Sequence, residues 1–505
     1  MAPRPRLARL LAPTLRAVYS TPTARLPPLL SQSLHHPSTS STPSRVSLNG
    51  WIRSIRKQKN ISFAVISDGT KVDGVQVVLP KGLEKGLTVG CSASLEGEWV
   101  ESPKQGSGKE FKVQEISWIG ESDAETFPIP NTKQGIPLPL LRHNAHLRSR
   151  KQDMASMLNI RSEMNWAMTN HFRNEGFIKV EAPIITSSDC EGGGEVFKVI
   201  DATPPPPSTI PNQSSSSPLS PATTPSRYLS VSSQLHLEAI ASSHPRVYAL
   251  SPCFRAEKSD TARHLQEFWM LEAELAFLAP EPSEALEQVM QVTEDSVRAI
   301  ARRVQEMDDF DYLANTKNGN DIGLRKRIEG LLMEEKYPRM TYTEAIKVLQ
   351  REEETNGSRF KFKPEWGASL QTEHEKYLAE EHVRGPLFVT DYPTPLKPFY
   401  MLRNPSSPDE PGPTTACFDL LVPQLGELAG GSLRTHSAET LLETIRENPK
   451  MKEEDYDWYL DLRKYGTTRH GGFGLGWERL VGLLTGISNV RECIAFPRAG
   501  EGSRF

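Results

Sequence analysis

The stretch SPCFRAEKSDTARHLQEFWMLEAELAF, at residues 251–277, predicts a β-hairpin with charged residues at its tip. Two apolar runs suited to strands flank a polar loop, and the residues here that could bind a nucleotide are Arg255, Glu257, Arg263, His264 and Phe268. Arginine can fork onto phosphate oxygens, a carboxylate can accept from an adenine amine, and a phenyl ring can stack on the base. The stretch therefore predicts an ATP site.

A second stretch, GGFGLGWERLVGLL at residues 471–484, predicts a glycine-rich turn that leads into an apolar helix. Gly476, Glu478 and Arg479 lie where the turn meets the helix. Backbone N–H groups and an arginine at a helix start favour a polyphosphate. Either stretch alone is weak evidence, because such a turn is most often a loop and RAE on a strand is usually a surface charge pattern.

Length and composition are those of an ordinary enzyme. The 505 residues suffice for two or three domains, and a formal net charge of −4 argues against a globally basic nucleic-acid coat. No run reaches the roughly 18 apolar residues of a transmembrane helix, so no membrane partner is expected. Five scattered cysteines, without metal-ligand spacing, predict reduced thiols.

The first 45 residues differ in composition from the rest of the chain. They carry arginine, serine and proline but no acidic residue, and the first acid of the sequence is Asp68. Such a composition is typical of a mitochondrial transit peptide, although a disordered tail is the alternative. The expected location is therefore the mitochondrial matrix.

The order of these motifs carries a family resemblance. FRAE and RHLQEF, followed by GFGLGWER, resemble motifs 2 and 3 of the class II aminoacyl-tRNA synthetases, and GFIKVEAPIIT at residues 176–186 resembles motif 1, with Pro183 in its dimer-forming strand. The resemblance implies an α+β protein: an N-terminal OB-fold β-barrel and a catalytic domain on an antiparallel sheet. The expected segments are a leader at 1–45, the barrel at 46–120, an extended proline-rich hinge at 121–150, and the catalytic domain at 151–505 with a low-complexity insertion at 203–226.

The pattern of residues 46–119 predicts strands separated by turns, and any small antiparallel barrel would have this pattern. The order GWIRSIR, SFAVISDGT and VQVV resembles the anticodon-binding OB domain of the class IIb synthetases. OB sheets stack bases on aromatic side chains beside basic ones. The resemblance thus implies tRNA binding by Phe63, Arg53 and Arg56. The helical pattern from Gln152, together with motif 1, implies a homodimer interface.

On the nucleotide side, the resemblance assigns two catalytic arginines. Arg255 would bridge the α-phosphate and the substrate carboxylate, and Arg479 would bind the γ-phosphate. The whole expected ATP set is Arg255, Glu257, Arg263, His264, Phe268, Glu427, Gly476, Glu478 and Arg479. Asp419 and Glu427, in CFDLLVPQLGELAGGSLR, would hold Mg²⁺ between phosphates, although two acids eight residues apart would by themselves suggest a surface.

On the amino-acid side, the resemblance implies contacts from Glu191, Ser232, Gln234, Glu238, Glu272, Lys397 and Arg434. Arg434 would face the substrate side chain. Glu191, in the loop SSDCEGGGEVFKV, would accept from the substrate ammonium. Glu272 is favoured as the acid that distinguishes an amide from a carboxylate. The alternative is that Glu272 only binds the ammonium and that Glu238 is the distinguishing acid. His470 is expected to be structural.

Within class IIb, DCEGGGEVF, EFWMLEAE and YLDLRKYG resemble the asparagine-specific branch, ahead of the aspartate-specific and lysine-specific branches. The implied activity is ATP-dependent activation of asparagine as its adenylate and transfer to tRNA(Asn). The sequence departs from the family where Thr435 and His436 follow Arg434 in place of the usual acid. A non-catalytic OB-type RNA-binding protein would lack the paired arginines or acids, and a ligase that amidates aspartate would need no anticodon domain.

Overall fold

The computed structural model describes residues 28–33, 45–102, 109–129, 135–187, 196–200, 227–256, 261–315, 322–357, 359–408, 410–449 and 451–498. Glu191, Glu257 and the insertion at 203–226 lie outside these ranges, as does most of the segment 1–45. The chain divides into two compact units, Met1–Gly135 and Ile136–Phe505. None of the helices in the described ranges has the length and apolar character that a membrane crossing requires.

The first unit is a closed five-stranded barrel, which confirms the β unit predicted from alternating apolar residues. Its strands close in the order β1-β2-β3-β5-β4 and have these bounds: β1 (Val46–Lys57), β2 (Ile61–Ser67), β3 (Val75–Pro80), β4 (Ser92–Glu101) and β5 (Lys109–Gly120). Alternate residues such as Leu48, Ile66 and Val77 fill the barrel core, because successive strand side chains point to opposite faces.

A short helix, α1 (Leu30–Ser33), corrects the prediction that residues 1–45 form only a leader. The Leu30 side chain is fully buried in the barrel core. The N–H of Leu30 donates to Asp68 Oδ2 at 2.8 Å, and that of Ser31 donates to Thr70 Oγ1 at 3.4 Å. Basic composition indicates import, but it cannot show that an apolar turn inside the same segment completes a core.

The second unit is built on an eight-stranded sheet and a small three-stranded one. Its strands are β6 (Ile178–Lys179), β7 (Ile185–Thr186), β8 (Lys198–Val199), β9 (Arg227–Leu229), β10 (Arg246–Phe254), β11 (Glu267–Ala276), β12 (Arg339–Thr341), β13 (Leu387–Thr390), β14 (Cys417–Val422), β15 (Gly426–Leu433) and β16 (His470–Gly476). The large sheet has the order β12-β13-β14-β15-β16-β11-β10-β6, and only its two edge pairs are parallel.

Helices surround this sheet: α2 (Leu138–His143), α3 (Ala145–Arg148), α4 (Gln152–Asn174), α5 (Gln234–Ala241), α6 (Pro282–Gln305), α7 (Asp308–Asn315), α8 (Ile322–Leu331), α9 (Tyr342–Asn356), α10 (Thr372–Tyr377), α11 (Ala438–Glu447), α12 (Asp457–Lys464) and α13 (Trp477–Thr485). The largest apolar core joins α4, α6 and α13 to one face of the sheet. Leu271, Ala273 and Leu275 of β11 point into this core, so the intervening residues of β11 point to the opposite face.

Strands β10 and β11 form the predicted hairpin, but the glycine-rich stretch is a central strand and not a turn. A Cβ atom at Gly472 would lie 2.1 Å from both Ala273 O and Glu274 Oε2, and one at Gly474 would lie 2.6 Å from Met270 Cε. Glycine is therefore required by close packing between β16 and β11. The sequence analysis expected glycine here for the backbone freedom of a turn, but the structure requires it because there is no room for a side chain.

The predicted hinge at 121–150 is also corrected, since residues 138–148 are helical and belong to the second unit. Prolines stand at the N-cap and in the first turn of α2, where a missing N–H group costs no helical hydrogen bond. Arg142 binds Glu492 at 2.7 Å, and the buried Arg148 donates to the carbonyl groups of Arg491 and Ala495. These ion pairs and hydrogen bonds give the segment a fixed place in the second unit.

The motif 1 strand is shorter than the sequence predicts. Only β6 and β7 are strands within residues 176–186, and Pro183 lies between them. Proline has no N–H group for a ladder of hydrogen bonds, which explains the interruption. The long helix predicted before it is confirmed as α4.

Candidate active site

Two cavities lie on the face of the large sheet that points away from the main core. The larger has a volume of about 300 Å³ and the smaller about 120 Å³. Arg255, Met270, Glu427 and Gly474 line both, so the two cavities are neighbours. Strand alternation explains the placement, because the even-numbered residues from 268 to 274 of β11 face the cavities while the odd-numbered ones face the core.

The smaller cavity collects the predicted ATP residues that the structure describes, namely Arg255, Arg263, His264, Phe268, Glu427, Gly476, Glu478 and Arg479. The Arg255 guanidinium lies 5.4 Å from the centre of the Phe268 ring. Arg479, in the first turn of α13, donates to the backbone oxygen of Glu427 at 3.0 Å and to its carboxylate at 3.3 Å. Cations and a helix start thus meet at one place, as a bound polyphosphate requires.

Glu478 has a different position from the one expected of an ATP ligand. Its carboxylate is buried, accepts from the Trp269 N–H at 2.9 Å and pairs with Arg161 at 2.7 Å. Burial raises the pKa of Glu478, although Arg161 opposes the shift. Glu478 therefore joins α13 to β11 and α4, and it acts on the site by holding the helix that carries Arg479.

Asp419 and Glu427 converge over Gly430, as their sequence positions predict. A Cβ atom at Gly430 would lie 3.3 Å from Asp419 Oδ1 and 3.6 Å from Glu427 Oε1. Lys397 Nζ lies 3.1 and 3.2 Å from the two oxygens of Asp419. Burial raises the pKa of Asp419, whereas the charges of Arg479 and Lys397 outweigh burial at Glu427 and lower its pKa.

A buried ion pair that the sequence analysis missed lines the larger cavity. Arg434 donates to both carboxylate oxygens of Glu274, from Nε at 3.2 Å and from NH2 at 2.9 Å, and both side chains are buried. Arg434 was predicted here, but Glu274 was not. The available signal was the spacing of two residues between Glu272 and Glu274, which places both on one face of β11.

Glu272 and the residues at the start of α5 line another part of the same cavity. Glu272 accepts from the Ser232 hydroxyl at 2.5 Å and from the Ser233 N–H at 2.9 Å. Burial raises the pKa of Glu272, while these hydrogen bonds and the charge of Arg255 oppose the shift. Ser232, Gln234 and Glu272, all predicted as substrate contacts, are thus brought together.

Glu238, which the sequence analysis placed among the substrate contacts, does not line either cavity. Its buried carboxylate accepts from the Tyr459 hydroxyl at 2.7 Å and from Arg463 at 2.6 Å, and it lies 3.1 Å from His470 Nε2. Burial opposes the charge, but Arg463 and His470 outweigh it and lower the pKa of Glu238. One turn after Gln234, α5 points this side chain into the protein, where His470 has the structural role expected of it.

The barrel carries its predicted aromatic and basic residues on its surface. The Arg56 guanidinium lies 5.6 Å from the centre of the half-buried Phe63 ring, and Arg53 donates to Val72 O at 3.3 Å. Trp51 and Trp118 are 41% and 63% exposed. The sequence analysis did not single out these two exposed indoles.

The larger cavity, with its carboxylates and Arg434, adjoins an arginine-rich smaller one, and such a pair of cavities suits an enzyme that activates an amino acid with ATP. The family described as tRNA synthetases class II (D, K and N) matches residues 139–500, and the OB-fold nucleic acid binding domain matches residues 46–119. The chain therefore belongs to the class II tRNA synthetases of the D, K and N group. It is an aminoacyl-tRNA ligase, and the fold and enzyme class predicted from the sequence are confirmed.

Individual relatives are similar over nearly the whole chain. The asparagine–tRNA ligase of Oleidesulfovibrio alaskensis is 39% identical over 472 residues, which cover 90% of this chain and 95% of that protein. The mitochondrial asparagine–tRNA ligase of Saccharomyces cerevisiae is 38% identical, covering 94% and 95%. The crystal structure of asparaginyl-tRNA synthetase from Pyrococcus horikoshii complexed with asparaginyl-adenylate has a TM-score of 0.75 and 30% identity, covering 91% and 96%.

Proposed function

We propose that this chain activates asparagine with ATP and transfers it to tRNA(Asn) in mitochondria. The observation that carries the proposal is the arrangement of the larger cavity, where Glu272 lies at the end near Arg255 and Glu274 lies paired with Arg434. An amino acid lying between them can place its ammonium at one carboxylate and its side-chain amide at the other. The relatives that bear the name asparagine–tRNA ligase support the same amino acid.

Arg255 would align the two reactants because it lines both cavities. In the first step, the asparagine carboxylate attacks the α-phosphorus of ATP, the bond to the bridging oxygen breaks, and pyrophosphate leaves. Arg255 would bind both the attacking carboxylate and the α-phosphate. Arg479 and Arg263 would bind the outer phosphates, and Phe268 would stack on the adenine. Alignment and charge stabilisation account for such catalysis without a covalent intermediate on the protein.

In the second step, a terminal ribose hydroxyl of the tRNA attacks the carbonyl carbon of the adenylate, and AMP leaves. The barrel would hold the anticodon by stacking on Phe63, with Arg53 and Arg56 near the phosphates. Exposed apolar side chains on α4 and β6, among them Trp166 at 63% and Ile178 at 47%, suit the interface of a homodimer.

Magnesium fits the two converging carboxylates. Protein sites for Mg²⁺ commonly supply one or two carboxylates and leave the remaining positions to water and substrate phosphates. Asp419 and Glu427 meet this requirement, and no larger cluster of His, Cys, Asp and Glu suited to a metal occurs in the described part of the chain. The two carboxylates would hold an ion that neutralises charge on the ATP phosphates and on the departing pyrophosphate.

The test is amino-acid-dependent exchange of labelled pyrophosphate into ATP, measured with each of the twenty amino acids. We expect exchange with asparagine alone, and we expect EDTA to abolish it until Mg²⁺ is restored. Exchange with aspartate at an equal or greater rate would assign the enzyme to aspartate. A folded protein that supports no exchange but binds tRNA would be a non-catalytic RNA-binding protein.

For import, we propose that the leader ends before the buried turn α1. Residues 1–27 fused to a reporter should direct it to mitochondria. Deleting them should leave the melting temperature and aminoacylation unchanged, because the buried Leu30 side chain remains, as do the hydrogen bonds of Leu30 and Ser31 to the turn after β2. A cytosolic reporter would contradict the import proposal.

Two variants test whether α1 contributes to the barrel core. Leu30→Ala should destabilise the barrel by about 2–5 kcal/mol, the usual cost of truncating a buried leucine. Leu29→Ala is the matched control, since Leu29 is 45% exposed. Chemical denaturation of the two variants measures the difference. Equal stabilities would show that Leu30 is not part of the barrel core.

A further inference from the structure

Two residues assigned to ATP, Arg263 and Glu427, are joined by a helix from a distant part of the chain. Thr372, at the start of α10, accepts from Arg263 NH1 through its hydroxyl at 2.6 Å. One turn later, Glu375 Oε2 accepts from the backbone N–H of Glu427 at 3.3 Å. Arg263 also donates to the Leu425 carbonyl, two residues before Glu427. The helix thus contacts both the loop of the motif 2 hairpin and the start of β15.

The turn between β14 and β15 is shaped to admit these contacts. Gly426 has a φ of +83°, which favours glycine. A Cβ atom on Gly426 would lie 2.4 Å from Glu375 Oε2 and 3.3 Å from Arg263 NH2. The carboxylate and the guanidinium therefore approach the same glycine from one side. The bare backbone at this point is what allows α10 to reach the amide of Glu427.

The arrangement separates the atoms that hold these residues from the atoms left for a ligand. Glu375 holds Glu427 by its backbone, so the Glu427 carboxylate stays directed at Arg479 and toward Asp419 over Gly430. Thr372 and Leu425 fix two of the nitrogens of Arg263. Long charged side chains lose rotamer freedom when they bind, and holding them in advance lowers that loss.

We propose that Thr372 and Glu375 are positioning residues, which fix Arg263 and Glu427 relative to each other for the phosphates of ATP. The proposal rests on the proposed function, in which these two residues bind ATP. Neither Thr372 nor Glu375 lines the two cavities, so their effect passes through the residues they hold. Hydrogen bonds behind metal and phosphate ligands typically change metal affinity or activity by about 10–100-fold.

The experiment measures pyrophosphate exchange as a function of ATP, Mg²⁺ and asparagine in the full chain. We expect Thr372→Val and Glu375→Ala each to raise the KM for ATP and the half-saturating Mg²⁺ concentration by about tenfold or more. The KM for asparagine should change by less than about twofold, because Glu272, Glu274 and Arg434 are untouched. Thr372→Ser and Glu375→Gln keep a hydrogen-bond acceptor at each position, and they should restore most of the affinity for ATP.

Glu373→Ala is the matched control on the same helix. Its carboxylate accepts from the Phe362 N–H at 2.8 Å and contacts no ATP residue in the described part of the chain. It should leave the KM for ATP unchanged. Parallel rises in KM for ATP and asparagine, or an equal effect of Glu373→Ala, would reduce the role of α10 to stability and overturn the proposal.

Failure of the proposed function would give a different result. If the wild-type protein exchanged no pyrophosphate with any amino acid, ATP would not be its substrate and the positioning role would fall with it. If the wild type exchanged normally while the KM for ATP stayed the same in Thr372→Val and Glu375→Ala, only the positioning role would fail.

Discussion

Arg255→Ala is expected to lower kcat/KM for asparagine-dependent pyrophosphate exchange by roughly 10²–10³-fold. The loss corresponds to about 2.7–4 kcal/mol, the size seen when one donor to a developing oxyanion is removed from a preorganised site. Four residues line both cavities, and of these Arg255 alone carries a positive charge. It can therefore contact the attacking carboxylate and the α-phosphate together, which the arginines of only one cavity cannot do.

Two further variants make this expectation specific. Arg479→Ala should raise the KM for ATP more than that for asparagine, because Arg479 lines only the smaller cavity. Arg246→Ala is a control, since Arg246 begins β10, at the opposite end from Arg255, which directly follows the strand, and donates to Glu175 O at 2.7 Å. It should retain near wild-type exchange. A folded Arg255→Ala protein with near wild-type exchange would remove Arg255 from the reaction.

The parts of the fold that the sequence predicts are those set by local patterns. Alternating apolar residues and Asp-Gly turns mark the strands of the barrel, and two apolar runs around a polar loop mark β10 and β11. The helix α9 begins at a capping box of Thr341 and Glu344, which the sequence also shows. Each of these signals lies within one continuous stretch of chain.

The corrections arise where contacts between distant segments decide the structure. Gly472 and Gly474 belong to a strand because Glu274 and Met270 of β11 occupy the space that side chains on β16 would need. Leu30 is buried by a barrel that begins sixteen residues later, with β1. Neither fact can be read from the residues adjacent to these positions.

The same limit applies to the candidate site. Sequence motifs identify Arg255, Arg434 and Arg479, because arginine at those positions has few structural explanations once the motifs occur together. They do not show which acid each arginine meets. Glu238 and Glu274 are both carboxylates near family motifs, yet Glu238 is held by Arg463 and Tyr459 outside the cavity, whereas Glu274 lies within it. Only the pairing of side chains across elements separates the two.

Glu274→Gln is expected to raise the ratio of kcat/KM for aspartate over asparagine by about 10²-fold. Asparagine and aspartate have nearly the same shape, so charge must distinguish them. Two like charges about 4 Å apart cost about 4 kcal/mol at an effective dielectric constant of 20, or about 10³-fold. Arg434 offsets part of the charge of Glu274, which reduces the expected change. Without that charge, Arg434 can attract the aspartate carboxylate more strongly, although Glu238, 3.7 Å from Arg434 Nε, still offsets part of its charge.

The position of Glu274 favours it over Glu272 as the discriminating acid. In an amino acid the ammonium is next to the carboxylate, so it would lie at the end of the cavity near Arg255, whose charge acts on Glu272. Arg434, whose charge acts on Glu274, marks the other end. Two residues along a strand span about 6.6 Å, a separation that an amino acid with a short side chain can bridge. This reverses the preference for Glu272 that follows from the sequence alone.

Paired kinetics of Glu274→Gln and Glu272→Gln with both amino acids decide between the two carboxylates. If Glu272 binds the ammonium, Glu272→Gln lowers kcat/KM for asparagine and aspartate equally, because both substrates carry that group. Glu274→Gln changes the ratio, and a melting curve checks that glutamine still accepts from Arg434 in the buried pair, whose complete loss would cost about 3–5 kcal/mol. A ratio that moves with Glu272→Gln and not with Glu274→Gln would return the discriminating role to Glu272. The amide would then be bound at the Arg255 end of the cavity, and the Glu274–Arg434 pair would serve only to close the other end.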